Sequence, residues 1–186
     1  MRITKEPEAR KQEILDTALK LFGENGYEKT SITDIAKAIG VAQGLCYRYF
    51  PSKEALFDGA IEQYADVLVE QLVGFEKDDH KSLRQIIEDM PATMEDRDAK
   101  YYSVFHQAEN KKFHDQLSLK VCEKLVPPVE KLLQRAQQNG EIQIDDLQAA
   151  AMFCVYGQLG ILLADELTQE DKSKRIREFL IYALRL

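Results

Sequence analysis

Cysteine, proline and long apolar runs are all scarce in this chain, and each scarcity removes a class of protein. The three cysteines stand far apart and form no CxxC pair, a pattern that suits free thiols in a reducing compartment. The longest apolar run, residues 149–164, has 16 residues and includes Gln158, whereas a membrane span needs about 20. The N-terminus mixes charged residues before any apolar spacing begins, unlike a secretory signal. We therefore expect a cytoplasmic protein with no membrane partner.

The charge of the chain is unevenly distributed. The formal net charge of −7 argues against a nucleic-acid partner for the chain as a whole, because phosphate contacts are made by Lys and Arg. Residues 1–53, however, carry nine Lys or Arg against seven Asp or Glu, a net charge of +2, and the remainder has a net charge of −9. The two parts are expected to face different partners.

Apolar spacing predicts an all-α protein of about nine helices, with no strand pattern. The first helix is expected to stop near residues 24–26. A second helix begins at Ser31, where Asp34 completes a capping box, and it ends at Gly40. A third short helix ends before Pro51, and Ser52 caps a fourth helix that runs toward residue 74.

Helical spacing continues through the rest of the chain. Helices are predicted over residues 82–90 and 97–110, then over 111–138, where Pro127 and Pro128 must kink or divide the helix. A further apolar helix is expected to begin at Asp145 or Asp146 and end near Leu167. The last predicted helix covers about residues 170–186.

Two short helices joined by a glycine turn, behind an amphipathic helix, form a unit whose second helix can enter a DNA major groove. The stretch DIAKAIGVAQGLCYRYFPSKEALF, residues 34–57, closely resembles the signature of the TetR family of regulators. The resemblance extends over about residues 12–57 and is architectural beyond them. It implies a helix-turn-helix DNA-binding domain over residues 1–53 and a helical ligand-binding and dimerisation domain over residues 54–186. Helix four, about residues 53–74, would connect the two domains.

The third helix carries the candidate DNA contacts. Gln43 and Tyr47 share one helical side with Gly44 and Arg48, and glutamine and arginine side chains suit adenine and guanine edges. The resemblance implies base-reading positions at Gln43, Gly44 and Tyr49 and phosphate contacts at Tyr47 and Lys53. Free backbone amides at the start of a helix favour anions, so Thr30 and Ser31 at the start of helix two are also candidate phosphate contacts. The full candidate set is Thr30, Ser31, Gln43, Gly44, Leu45, Tyr47, Arg48, Tyr49 and Lys53.

Three residues depart from the family pattern. Ala42 replaces the usual serine and gives up a helix cap worth about 1 kcal/mol. Leu45 stands where threonine, serine or alanine is frequent, so it would touch thymine methyl groups instead of hydrogen bonding. Cys46 replaces a larger apolar residue that faces the interior of the domain. The operator sequence therefore cannot be derived from the resemblance.

The apolar segment 149–164 has no polar face, so something must cover its second side. The resemblance implies a homodimer held by the last two helices in a four-helix bundle; the alternative is a helix buried within one subunit. A dimer would place its two DNA-binding domains, called the heads below, in successive major grooves of an inverted repeat. The candidate interface residues are Ala150, Phe153, Gly157, Gly160, Ile161, Ala164, Ile176, Phe179, Leu180 and Ala183.

Mixed aromatic, methionine and histidine side chains between head and dimer helices suit a mostly apolar small-molecule effector. Core packing is the alternative and is expected for most of them. No zinc-ligand spacing occurs, and we expect no metal and no cofactor. The candidate pocket residues are Met90, Met94, Tyr101, Tyr102, Phe105, His106, Phe113, Cys122, Met152, Phe153 and Tyr156.

Together these features predict a ligand-responsive repressor that binds an inverted-repeat operator as a homodimer. One alternative keeps the fold but makes the protein an activator or a regulator controlled by a protein partner. A helical enzyme is a more remote alternative, because the chain has no glycine-rich phosphate loop, nucleophile elbow or paired metal motif.

Overall fold

A computed structural model of the chain describes residues 6–74, 80–90, 111–164 and 166–186. Every regular element within these ranges is a helix, which confirms the predicted all-α class. The predicted helix over residues 97–110 lies outside the described residues. No described helix has both the length and the apolarity that crossing a bilayer requires. The helices are α1 (Pro7–Asn25), α2 (Ile32–Ala38), α3 (Gln43–Tyr49), α4 (Lys53–Leu72), α5 (Leu83–Glu88), α6 (Lys111–Gln138), α7 (Leu147–Tyr156), α8 (Leu159–Leu162) and α9 (Gln169–Leu184).

The chain divides into two compact units, and both α4 and α6 contribute to each of them. The first unit takes in the described chain up to Ala65 and α6 up to Leu117, and the second takes in the rest. The division falls inside α4, beyond the boundary at residue 53 that the sequence suggested. The first half of α4 belongs with the first unit because its apolar side chains are buried there: Leu56, Phe57, Ala60, Ile61, Tyr64 and Ala65.

The core of the first unit forms around the apolar face of α1. The apolar residues on this face are buried, and each fully buried leucine, isoleucine or phenylalanine side chain contributes about 1.5–3 kcal/mol. Gly26 ends α1 with φ +81°, and Gly40 follows α2 with φ +68°, backbone conformations that side chains beyond glycine rarely adopt. The buried set on the first three helices is Ile14, Leu15, Ala18, Leu19, Phe22, Ile32, Ile35, Ala36 and Cys46.

Side-chain caps fix where several helices begin. The Ser31 Oγ accepts a hydrogen bond from the Asp34 N–H, and the Asp34 carboxylate accepts one from the Ser31 N–H at 3.0 Å, which confirms the predicted capping box. Ser52 Oγ accepts from the Ala55 N–H at 3.0 Å at the start of α4. Asp146, one of the two residues predicted, caps α7 by accepting from the Ala149 N–H at 2.9 Å.

In the second unit, charged side chains from distant parts of the sequence hold the short helix α5 at both ends. The Glu141 carboxylate accepts a hydrogen bond from the Leu83 N–H at 2.6 Å, where the helix begins. The Arg177 guanidinium donates to the Met90 carbonyl at 2.9 Å, just after the helix ends. A negative charge at the first turn and a positive charge beyond the last turn both oppose the helix dipole favourably.

The main core of the second unit joins α5, α6, α7 and α9. Within this unit the Lys124 Nζ of α6 also pairs with the Asp66 carboxylate of α4 at 2.6 Å. The buried cluster consists of Leu83, Ile87, Leu133, Ala136, Ile142, Ala151, Ile176, Leu180 and Leu184.

The sequence predicted that Pro127 and Pro128 would kink or divide α6, and division is excluded, because the helix runs undivided through both residues. The two prolines are adjacent, so the missing N–H groups fall within one turn of a 28-residue helix. The apolar helix expected to reach Leu167 instead ends at Tyr156, and the Gln158 side-chain amide donates to the Cys154 carbonyl that the helix backbone would otherwise use.

Candidate DNA-binding interface

α2 and α3 pack as a pair around the turn at Gly40. The Val41 N–H donates to the Ala36 carbonyl at 2.9 Å, which closes the turn after α2. Ala42 directly precedes the first residue of α3 and provides no side-chain cap, as the alanine at this position predicts. Cys46 is fully buried and anchors one side of α3 in the core, and burial raises the pKa of its thiol. The opposite side of α3 is left accessible.

That accessible side carries the candidate base-reading residues. Gln43, Gly44, Tyr47 and Arg48 are exposed, with 47% of Tyr47 accessible, whereas Leu45 and Tyr49 are half-buried. The structure therefore brings these six α3 residues together on one short helix, with hydrogen-bonding groups at its surface.

Lys53 lies at the first residue of α4, directly after the bend that ends α3. Its Nζ lies 4.2 Å from the centroid of the Tyr27 ring and 3.5 Å from the Glu28 carbonyl oxygen, to which it donates. Tyr27 was not among the residues singled out from the sequence. Nothing in the local pattern links it to Lys53, because the two are separated by two whole helices.

The two candidate DNA contacts at the start of α2 differ in exposure. Thr30 is only 2% exposed, and its hydroxyl donates to the Leu21 and Gly26 carbonyls at 3.0 and 2.9 Å. Thr30 therefore closes the turn after α1 and is removed from the candidate DNA contacts. Ser31 is exposed, but its hydroxyl donates to the Asp34 carboxylate at 2.6 Å.

Two ionisable groups near this surface have shifted pKa values. The Ser31 hydroxyl, and then the Ser31 backbone N–H, stabilise the Asp34 carboxylate and hold its pKa below the usual range. Burial raises the pKa of the Tyr27 phenol, and the nearby carboxylates of Glu54, Glu28 and Asp58 raise it further. At neutral pH the Asp34 side chain is therefore charged and the Tyr27 ring is neutral.

The predicted dimer-interface residues fall into two groups in the second unit. Phe153, Gly157, Gly160, Phe179 and Ala183 are exposed, with 80% of Phe153 and 62% of Phe179 accessible. Ala150, Ile161 and Ala164 are half-buried. Ile176 and Leu180 are buried in the core of the same subunit, so they are removed from the candidate interface. Tyr182, which the sequence analysis missed, is 79% exposed on α9, one turn beyond Phe179.

The predicted pocket residues do not come together as a set. Met94, Tyr101, Tyr102, Phe105 and His106 lie outside the described residues. Phe113 is buried in the first unit against Phe57, and Met152 and Phe153 point outward from α7, so these three are removed from the candidate pocket. Met90 and Tyr156 are half-buried and Cys122 is buried, all within the second unit.

A buried first helix, a capped second helix and an exposed third helix define this domain as a helix-turn-helix domain. The sequence pattern described as "Bacterial regulatory proteins, tetR family" matches residues 14–60. The N-terminal domain of the chain is thus similar to that of the tetR family of bacterial regulatory proteins, in the region where the sequence resembled it.

Individual relatives are similar to this chain over short stretches. The Bacillus subtilis protein YuxN, named an HTH-type transcriptional regulator, is 49% identical over 53 residues, which are 28% of this chain and 18% of YuxN. The Rhodococcus jostii protein KstR2, named an HTH-type transcriptional repressor, is 41% identical over 59 residues, or 32% of this chain and 29% of KstR2. The chain thus spans less than a third of the length of either relative.

The likeness of fold extends over nearly the whole chain. The solved structure of Salmonella enterica GusR superposes with a TM-score of 0.67, covering 98% of both chains at 22% sequence identity. At this identity the superposition establishes a shared fold.

Proposed function

We propose that this regulator binds double-stranded DNA as a homodimer and reads an inverted-repeat operator with α3. The observation that carries this proposal is the asymmetry of α3: Cys46 fixes one side in the core, and Gln43 and Arg48 extend from a short, rigid helix at the surface. A helix of this kind fits the major groove of B-form DNA, which is about 12 Å wide.

Each exposed residue has a role that its chemistry supports. Gln43 can make a bidentate contact with an adenine edge, and Arg48 can do the same with guanine or can bind a phosphate. Tyr47 offers a hydroxyl and Lys53 an ammonium to the phosphates at the groove edge, which position the head without reading sequence. Leu45, half-buried, presents apolar surface suited to a thymine methyl group.

A homodimer supplies the second head. Phe153 on α7 and Phe179 on α9 are large apolar side chains exposed in the single chain, a pattern that marks an interaction surface. The buried sides of the same helices already pack in the core, so a second copy is the partner that covers the exposed sides. The two heads would then bind half-sites about 34–36 Å apart.

We propose further that the DNA-bound dimer represses transcription and that a small, mostly apolar effector releases it. The repressor role is supported by the similarity of a 59-residue stretch of the chain to KstR2, which is named a transcriptional repressor. The route from effector to head is α4, because this single helix contributes to both units and carries Lys53 at its first turn.

Selection of binding sites from random-sequence duplexes tests the proposal. The purified chain should enrich an inverted repeat, and Gln43→Ala should relax preference at one position of each half-site at a cost of about 1–3 kcal/mol. Gln148→Ala, an exposed glutamine on α7 in the second unit, is the control and should select the same sequence as the parent. Failure to enrich any repeated sequence would remove the operator-binding function.

A further inference from the structure

Lys53 is held in place in the free protein. Its ammonium lies over the face of the Tyr27 ring, 4.2 Å from the centroid, and donates to the Glu28 carbonyl oxygen at 3.5 Å. The face of an aromatic ring attracts a cation through its quadrupole. A side chain that elsewhere samples many rotamers is thereby confined beside the start of α4.

The Tyr27 ring is itself held by aromatic packing within the first unit. Its centroid lies 4.5 Å from that of Phe57 on α4 and 5.7 Å from that of Phe22 on α1. The Phe57 ring in turn meets Phe113 of α6 edge to face at 5.8 Å. These contacts fix the plane of the ring on which Lys53 rests.

We propose that Tyr27 is a positioning residue for DNA binding, which holds the Lys53 ammonium ready to meet a backbone phosphate. The inference rests on the proposed function, in which Lys53 binds that phosphate. Tyr27 touches Lys53 and does not itself need to touch DNA.

Two physical effects make the position of Lys53 matter. Ordering a lysine side chain on binding costs conformational entropy, and a side chain already ordered in the free protein avoids most of this cost. Glu28, Glu54 and Asp58 also lie close enough to Tyr27 to raise the pKa of its phenol. Without the ring, these carboxylates would compete with DNA for the ammonium, whereas the ring carries no formal charge that would pair with it.

The test compares Tyr27→Leu, Tyr27→Phe, Lys53→Met and the double variant Tyr27→Leu/Lys53→Met on a mixed-sequence DNA duplex across a salt series. Tyr27→Leu should weaken binding about two- to fivefold for each head, as expected for a cation–π contact at a partly exposed site. Tyr27→Phe keeps the ring and should bind like the parent. Lys53→Met should lower the salt slope by about 0.9 for each lost phosphate contact. In the Lys53→Met background, Tyr27→Leu should have no further effect.

A spectroscopic measurement tests the contact independently of DNA and of variant folding. In the parent protein, the ring current of Tyr27 should shift the Lys53 ε-methylene proton resonances upfield, and Tyr27→Phe should preserve the shift. Resonances at ordinary lysine positions in the parent would overturn the proposal. So would an equal loss of affinity from Tyr27→Leu with and without Lys53, which is the result of a purely structural role.

The proposed function and this inference fail in different ways. If the parent binds no duplex at low salt, the DNA-binding proposal fails, and the inference falls with it even where the upfield shift is present. If the parent binds DNA but Tyr27→Leu binds equally well, only the positioning role of Tyr27 is lost.

Discussion

Phe57 of α4 and Phe113 of α6 meet edge to face, with ring centroids 5.8 Å apart and planes at 74°. Both rings are buried, and the contact belongs to the first unit, so the beginning of α6 is part of the core of the DNA-binding head. The remainder of α6 belongs to the second unit. The folding of the head therefore depends on a segment far downstream of the helix-turn-helix sequence.

Phe113→Ala should lower the free energy of unfolding by about 3–5 kcal/mol, the usual cost of removing a buried phenylalanine ring from a core. Leu119→Ala, six residues later on the same helix, is the control, because more than half of Leu119 is exposed. The control should change the stability by less than about 0.5 kcal/mol. Urea unfolding followed by circular dichroism measures both. Equal effects of the two substitutions would show that the Phe113 contact does not stabilise the head.

Phe153→Asp and Phe179→Asp should each convert the proposed dimer to a monomer. A charge placed on an apolar interface removes a contact of the kind that contributes about 2 kcal/mol or more, and a symmetric dimer loses it twice. Sedimentation equilibrium should show self-association weaker by about three orders of magnitude, the factor that corresponds to about 4 kcal/mol. Leu119→Asp is a matched exposed position on α6 and should leave the parent's assembly unchanged. A parent that stays monomeric over the whole concentration range would contradict the homodimer.

The capping box of α2 should make stability depend on pH. Because the Ser31 hydroxyl and N–H lower the pKa of Asp34, the ionised carboxylate is favoured in the folded state. Its contribution is fully present above the unfolded pKa of about 4 and is lost as the pH falls through the lower folded pKa. Ser31→Ala should reduce stability by about 1 kcal/mol near neutral pH and flatten this acid-side dependence.

The second capping box provides the matched control for that experiment. The Ser82 hydroxyl accepts a hydrogen bond from the Gln85 N–H, and the neutral Gln85 Oε1 accepts one from the Ser82 N–H at 3.0 Å, so no ionisable group takes part. Ser82→Ala should lower the melting temperature without changing its pH dependence. If Ser31→Ala and Ser82→Ala have parallel pH profiles, the Asp34 carboxylate does not carry the effect.

Gly44→Ala should stabilise the free protein and weaken its binding to DNA. A Cβ at Gly44 meets no heavy atom within 4 Å, so alanine gains helix propensity of about 1 kcal/mol without a clash. The added methyl group would stand between α3 and the floor of the groove. Thermal unfolding and binding to a mixed-sequence duplex measure the two opposite effects.

Gly59→Ala is the control for the effect of helix propensity on stability. A Cβ there would lie 3.2 Å from Leu15 Cδ2 and 3.2 Å from Phe50 Cε1, so crowding offsets the propensity gain. The stability gain should therefore be smaller than at Gly44 or reversed. Unchanged DNA binding by Gly44→Ala would show that this glycine does not approach the groove.

Features encoded within a few residues could be predicted from the sequence. The capping box at Ser31 needs only the residue three positions later, and the end of α3 follows from Pro51 two residues beyond it. The exposed side of α3 also followed from the helical spacing of Gln43 and Tyr47, and the family resemblance implied the inward direction of Cys46. Local hydrogen bonding and helical period determine all of these.

Features that depend on distant packing could not be predicted. Thr30 has the sequence position of an exposed helix-start hydroxyl, but the end of α1 covers it and takes its hydrogen bond. Ile176 and Phe179 belong to one apolar stripe, and only the three-dimensional core separates the buried residue from the exposed one. The Tyr27–Lys53 contact likewise requires α4 to fold back beside the turn after α1.

The contacts at the two ends of α5 have a consequence for local unfolding of the second unit. Six residues are too few for a helix to persist alone in water, because nucleation is costly and only a few hydrogen bonds offset it. α5 therefore depends on its contacts with the rest of the second unit, which are the burial of Leu83 and Ile87 and the hydrogen bonds with Glu141 and Arg177 at its two ends. Its amide protons should exchange with solvent deuterium together, in one cooperative event, instead of fraying one by one from the termini.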